Sequence, residues 1–165
     1  LVLTPTLSIL APCTALAAPS MIYLVRHAEK GADSKDPDLT AQGRARAENI
    51  ATILHKTGIA NVFSTPYKRT MQTAQALAQR TGLQVQSYDP ATPKLLVERV
   101  KSLNGAVLVV AHSNTLPELV RLFGGAPGAD IPETEYDRLY QLVVDSSGAI
   151  TTVLLTSPAA SATAP

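Results

Sequence analysis

The chain reads as an α/β protein: a three-layer α/β/α sandwich with a mostly parallel central sheet and an antiparallel edge. Three observations predict this. Short apolar runs rich in β-branched residues alternate with longer amphipathic segments from Ile22 to Phe123, the pattern of successive βα units. The most apolar run, Ala106–Ala111, has no polar alternation, as a strand covered on both faces requires. The chain then closes on two consecutive strand-like runs joined by Asp145-Ser146-Ser147-Gly148, a hairpin turn, which pairs strands antiparallel.

Taken in order, Ile22-Tyr23-Leu24-Val25 is a buried strand placed at 22–26. A helix follows at 41–56, with Ala47, Ile50 and Leu54 on one face. Asn61-Val62-Phe63 opens a strand at 61–64 that ends in Ser64-Thr65-Pro66, read as a hydroxyl N-cap with Pro in the first turn of a helix at 67–80. Tyr67, Met71, Ala74 and Leu77 form the apolar stripe of that helix and are assigned to the core. Then come a strand at 84–87, a helix at 92–102, the strand at 106–111 and a helix at 116–123, whose start, Thr115-Leu116-Pro117-Glu118, has capping-box spacing. Strands at 138–144 and 149–155 complete the sheet. A single domain of residues 21–156 accommodates all of this, without internal repeats.

Chemistry concentrates at the strand ends. In open α/β sheets, ligands are handled beyond the carboxyl ends of the strands. Arg26 and His27 leave the first strand there, Arg69 sits in the first helical turn after the second, and His112 stands at the exit of the strand 106–111. The chain has three histidines, and two occupy such ends; the third, His55, lies among polar neighbours and reads as a solvated surface residue. A guanidinium that binds oxyanions beside an imidazole that can attack is the minimum equipment for phosphoryl chemistry.

Val25-Arg26-His27-Ala28-Glu29, Asp38-Leu39-Thr40-Ala41-Gln42-Gly43, Phe63-Ser64-Thr65-Pro66-Tyr67-Lys68-Arg69-Thr70-Met71-Gln72-Thr73-Ala74 and Val110-Ala111-His112-Ser113 occur in that order. Together they resemble the histidine phosphatase superfamily, which includes the cofactor-dependent phosphoglycerate mutases. The resemblance covers about residues 21 to 155. It implies that His27 is a nucleophile forming a covalent phosphohistidine, with Arg26, Arg69 and His112 completing the phosphate-binding pocket. Ala28 stands where the family usually has Gly, a departure of one methyl group.

The physical logic of these roles is consistent. A transferring phosphoryl group spreads negative charge over its equatorial oxygens, and preorganised guanidinium groups stabilise that distribution. Arg suits the task better than Lys because its planar fork matches two oxygens at once. His27 must present a neutral nitrogen, its other nitrogen donating a hydrogen bond, and a protonated His112 would donate to a phosphate oxygen. The arginines supply the charge a metal would bring, and His27 with His112 lacks a carboxylate at ligand spacing, so neither metal nor cofactor is expected.

The proton donor for the leaving oxygen is less defined. Many members carry a carboxylate after the third strand, where Asp89 is the candidate here; Asp before Pro is equally an ordinary turn residue. Glu98 reads as solvated. Glu133 and Glu135 lie in a loop that could fold over the pocket, with plain surface charge as the alternative. Some small members, the phosphohistidine protein phosphatases among them, manage without a dedicated acid.

The expected activity is therefore metal-independent phosphomonoester hydrolysis. A phosphoglycerate mutase-like phosphotransferase is the alternative enzyme, disfavoured by the brief connection between the strand ending near Gln86 and the helix starting near Thr92. A phosphate-binding module without turnover is the alternative outside enzymes. Short loops imply an open pocket suited to a phosphorylated small molecule, a sugar phosphate such as that of a lipopolysaccharide, or a phosphoprotein. Formal net charge is +1, with no basic cluster beyond Lys68-Arg69, which gives no support for nucleic-acid or membrane-surface binding.

Residues 1–18 carry no charge and end in Ala15-Leu16-Ala17-Ala18, the small-residue pattern of a signal-peptidase site. They read as a truncated signal peptide, and the protein is expected in the periplasm or secreted. The interrupting Thr and Pro residues argue against a membrane span, so no stable membrane insertion is expected. The single cysteine, Cys13, lies in this leader. The Ser/Ala/Thr/Pro-rich segment 157–165 is expected to be a disordered tail.

Overall fold

The computed structural model describes residues 18–159. Its elements are β1 (Met21–Arg26), α1 (Ala41–Leu54), β2 (Ile59–Ser64), α2 (Lys68–Thr81), β3 (Val85–Ser87), α3 (Pro93–Lys101), β4 (Ala106–Ala111), α4 (Leu116–Leu122), β5 (Arg138–Val144) and β6 (Ile150–Thr156). They form one six-stranded sheet in the order β3-β2-β4-β1-β5-β6. The first four strands pair parallel, while β5 pairs antiparallel with β1 and β6 with β5.

Strand alternation divides the core into two layers. Ile22, Leu24, Val107, Val109 and Ala111 face one side with Leu96, Val100, Leu116 and Leu119 of α3 and α4. Tyr23, Val25, Leu108 and Val110 face the other with Ala47, Ile50, Leu54 and Leu77 of α1 and α2. The strand order explains why the helices divide in pairs. The chain steps outward from β1 to β2 to β3 and then returns to β4, and right-handed crossovers place helices from opposite directions of travel on opposite faces. The reversal leaves a crevice beyond the ends of β1, β4 and β2, the switch point where α/β sheets carry ligands.

Several local expectations are corrected. Helix α2 starts at Lys68 rather than Tyr67, and neither Ser64 nor Thr65 caps it: its N-cap is Tyr67, with no side-chain cap. Tyr67 does not join the core stripe but is 38 % exposed. Thr115 is the N-cap of α4 but makes no capping bond; its hydroxyl accepts the backbone N–H of His112 at 3.3 Å. Neither hydroxyl caps helix backbone: Thr65 Oγ1 meets the Thr70 hydroxyl of α2 and His112 Nε2, and Thr115 Oγ1 accepts from the residue just beyond β4.

Ser157, placed in the tail by the sequence, is buried, and its carbonyl accepts a bond of 2.6 Å from Arg46 Nη1. The packed domain therefore reaches one residue past 156. The rest of the tail beyond residue 159, and all of the leader except Ala18, lie outside the described residues. Among the described residues no helix is long and apolar enough to cross a membrane.

Candidate active site

Register places the site. Arg26 is opposite Ala111 across the β1–β4 ladder, and the His27 N–H donates to Ala111 O at 2.9 Å. His112 leaves β4 immediately after that carbonyl. Ser64 at the end of β2 is opposite Val110, so Thr65 emerges beside His112. Three parallel strands thus end level, and the residues just beyond them crowd together.

The His27 and His112 rings lie 5.5 Å apart, centroid to centroid, near edge-on. Arg69, one residue into α2, brings Nη2 within 3.4 Å of His112 Nδ1. Tyr136 contacts both remaining members: the Arg26 guanidinium lies 4.1 Å over its ring, and the His27 ring is 6.0 Å away. All four side chains singled out in the sequence as a phosphate pocket, Arg26, His27, Arg69 and His112, therefore meet at one edge of the sheet.

His27 Nδ1 is 2.8 Å from Ala28 O, and a carbonyl can only accept, so that nitrogen carries the hydrogen. Nε2 is left with its lone pair. Burial is the main cause that drives the His27 pKa down to about 3, with Arg26, His112 and Arg69 adding to it; the bond to Ala28 opposes them. His112 falls to about 4, again through burial first and then Arg69 and Arg26. Its Nε2 meets Thr65 Oγ1 at 2.9 Å. At neutral pH both imidazoles are uncharged. A protonated His112 is thus not the ground state, and a dianion among the guanidiniums would favour it again by cancelling their charge.

The arginines are held from behind. Arg26 is 1 % exposed, and Nη1 donates to the carbonyls of Pro132, Glu133 and Glu135 at 3.0, 3.0 and 2.7 Å. Nη2 donates to Glu133 Oε2 at 3.0 Å. Arg69 Nη1 lies 3.7 Å from Asp36 Oδ1, and its guanidinium sits 4.7 Å over the Tyr67 ring. Two buried side-chain nitrogens among the described residues have no hydrogen-bond partner: Arg26 Nε and Arg69 Nε. A buried N–H without a partner is costly, and it falls on both arginines of the pocket.

Ala28 accommodates its methyl without difficulty: it is fully buried in the α1–α2 core layer, and its N–H donates to Thr73 Oγ1 at 3.0 Å. Glu29 points away from the pocket into a clamp with Arg46, whose Nε and Nη2 approach its carboxylate at 2.7 to 3.0 Å. Asp89 does not join the other four. It is exposed, its Oδ1 accepts the Ala91 N–H at 2.8 Å, and it lines a hollow with Tyr88 and Leu96. Its neighbour Pro90, rather than Asp89, lines the hollow that holds Arg69 and His112. Among the described residues no three His, Cys, Asp or Glu side chains cluster at metal-binding spacing.

Sequence reasoning missed Thr65, Tyr136 and Arg46. Thr65 looked like a cap, and Tyr136 and Arg46 gain meaning only through contacts with residues far away in the chain. Glu133, by contrast, does fold over the pocket, and surface charge alone does not describe it.

A family model for the histidine phosphatase superfamily, branch 1, matches residues 22–90, which include Arg26, His27 and Arg69. Residues 22–90 belong to the histidine phosphatase superfamily. A probable phosphoglycerate mutase GpmB of Escherichia coli O139:H28 is 30 % identical over 126 residues, covering 69 % of this chain and 54 % of that protein. The chain thus spans about half the length of the curated relatives it matches. Among solved structures, the protein histidine phosphatase SixA complexed with tungstate superposes with a TM-score of 0.64 at 21 % identity, covering 84 % of this chain and 97 % of SixA. A mycobacterial glucosyl-3-phosphoglycerate phosphatase gives 0.62 at 16 %, covering 83 % and 97 %. At these identities the likeness is one of fold.

Proposed function

We propose that the protein is a metal-independent phosphomonoester hydrolase working through a covalent phosphohistidine on His27. The observation that carries this reading is the pairing of a tautomer-locked His27 with two buried guanidiniums whose Nε–H groups lack partners. Nε2 attacks phosphorus, the guanidiniums take the developing charge on the equatorial oxygens, and water then releases phosphate from the imidazole. The arginines provide the positive charge that a metal supplies elsewhere.

The likeness to a probable phosphoglycerate mutase favours phosphoryl transfer between sugar acids as a second reading. The short passage from Ser87 at the end of β3 to Pro93 at the start of α3 supports hydrolysis, since it leaves little chain to close over a second phosphate. The substrates proposed are phosphates displayed on open scaffolds, sugars or proteins, in keeping with the names of the structural neighbours. Export to the periplasm or beyond is proposed from the Ala15-Leu16-Ala17-Ala18 pattern. It is tested by N-terminal sequencing from the native host, where an intact leader on a cytoplasmic protein would refute it.

The mechanism is tested by quenching turnover of a ³²P-labelled ester. Phosphohistidine survives alkali and is lost in mild acid. Vanadate-sensitive hydrolysis of p-nitrophenyl phosphate should persist in EDTA, His27→Ala should lose label and turnover together, and Arg69→Ala should lose roughly 10²-fold in rate or more. Full activity of His27→Ala ends the reading. Stoichiometric anion binding with no turnover would make the protein a phosphate-binding module instead.

A further inference from the structure

We propose that Glu133, on the loop between α4 and β5, is the residue that gives a proton to the leaving oxygen and takes one back from the attacking water. This rests on the phosphatase reading above and supplies the acid that Asp89 is not placed to be.

The loop is fixed by its backbone. The three carbonyls on Arg26 Nη1 span residues 132–135, so the guanidinium beside the nucleophile sets the position of Glu133. The side chain is left to bridge the pocket mouth. Oε2 accepts from Arg26 Nη2 at 3.0 Å on the β1 side, and Oε1 accepts from Ser113 Oγ at 2.7 Å just beyond β4. It is nevertheless 80 % exposed, on the open side of the pocket rather than in its wall. On that side Glu133 lines a hollow of about 370 Å³ with Ser113, Asn114, Arg121 and Ile131, roomy enough for the body of a leaving group.

Among the other carboxylates, Glu29 is locked in the Arg46 clamp, Asp89 accepts from Ala91, and Asp36 accepts the backbone N–H of Lys68 at 2.9 Å. Glu118 and Asp130 line the same hollow as Glu133, but it is the Glu133 carboxylate that accepts from Arg26. Glu133 joins the two: its carboxylate accepts from Arg26, the neighbour of His27, and it lines the open hollow.

The proton count closes. In the first step His27 Nε2 forms a bond to phosphorus, the ester P–O bond breaks with its electron pair on the leaving oxygen, and that oxygen takes the Glu133 proton. In the second step the Glu133 carboxylate takes a proton from water as its oxygen bonds to phosphorus. The P–N bond breaks with its pair returning to Nε2, releasing hydrogen phosphate and a protonated Glu133. Ser113 first and then Arg26 hold the Glu133 pKa below the usual carboxylate value. Substrate reverses that bias: a phosphate dianion draws Arg26 Nη2 to itself and sets like charge beside the carboxylate, and both changes favour the protonated form.

The test is the leaving-group dependence of kcat/KM. p-Nitrophenoxide departs without help, whereas the oxygen of phenyl phosphate needs a proton. Glu133→Gln should lower kcat/KM for phenyl phosphate on the order of 10²- to 10⁴-fold and that for p-nitrophenyl phosphate far less, while kcat falls for both esters because water loses its base in the second step. Glu133→Asp, which keeps the acid on a shorter arm, should recover part of that loss. The alkaline limb of the wild-type pH profile for phenyl phosphate should vanish in the Gln variant. Equal losses in kcat/KM for both esters in both variants would make Glu133 only a strut for the loop, and an undiminished kcat/KM for phenyl phosphate would remove it from the chemistry; either overturns the proposal. A wild-type protein that hydrolyses neither ester overturns the phosphatase reading beneath it, a different result from either of these.

Discussion

Replacing Gly43 by Ala sets two effects of opposite sign against each other. Gly43 is the third residue of α1, and its N–H donates to the N-cap hydroxyl of Thr40 at 3.0 Å. Helix propensity alone makes Gly→Ala stabilising by about 1 kcal/mol. A Cβ at this position would lie 2.1 Å from Glu29 O and 3.0 Å from the Glu29 carbonyl carbon. A normal C···O approach is about 3.3 Å, so the overlap is roughly 1.2 Å against backbone. Neither partner can yield cheaply. Glu29 O accepts the Thr40 N–H at 2.9 Å, the Glu29 carboxylate is held by Arg46, and α1 is anchored by the fully buried Ala51 and Leu54. Overpacking of this kind costs about 1–3 kcal/mol, and more when backbone must move. The clash wins: with backbone forced to move, the cost lies at or above the top of that range, so after the propensity gain Gly43→Ala should be destabilised by about 2 kcal/mol or more, roughly 6 °C in Tm for a domain of this size. Urea and thermal unfolding measure the loss. The displacement also reaches catalysis, since the peptide that moves follows Ala28, whose carbonyl fixes the His27 tautomer. A lowered kcat should therefore accompany the lowered midpoint. A variant as stable as the wild type, or more so, would refute the close approach of α1 to the segment that follows His27.

Two further outcomes follow from burial at the same edge. His27 and His112 titrate at about 3 and 4 in the folded protein against about 6.5 unfolded, so the unfolded chain binds more protons throughout that interval. Their stabilising contribution is complete above about pH 6.5 and is lost as pH falls toward 4; urea midpoints at pH 7, 6 and 5 should decline, and a His27→Gln variant should decline less, with parallel profiles counting against the assignment. Arg46→Ala strands the Glu29 carboxylate, 13 % exposed, without its partner and should cost about 3–5 kcal/mol in urea unfolding; an unchanged midpoint would show that the clamp contributes nothing.

What the sequence made legible was what repeats along the chain. Each strand-helix pair announces itself by a change of period, and the residues at the ends of the parallel strands β1 and β4 mark the ligand edge, so Arg26, His27 and His112 are legible from the sequence alone. The order of strands could not be read, because a right-handed crossover is satisfied whether β4 inserts beside β1 or outside β3. It is this insertion that brings His112 to His27. Thr65 was misread for a related reason: a hydroxyl before Pro serves a helix cap or a histidine equally well, and only the level ending of β2 and β4 chooses the histidine. Glu133 lies 107 positions from Arg26 in the chain, and no local pattern ties the two. The contact exists because antiparallel β5 returns along β1 and delivers the loop before it to the active edge. Strand ends carry the groups proposed to hold and attack phosphate, and a returning loop carries the group proposed to move the proton. The first part of such a site belongs to the local pattern and the second to the topology: the local pattern offers Asp89, which lines a different hollow from Arg69 and His112, and the topology brings Glu133 to Arg26.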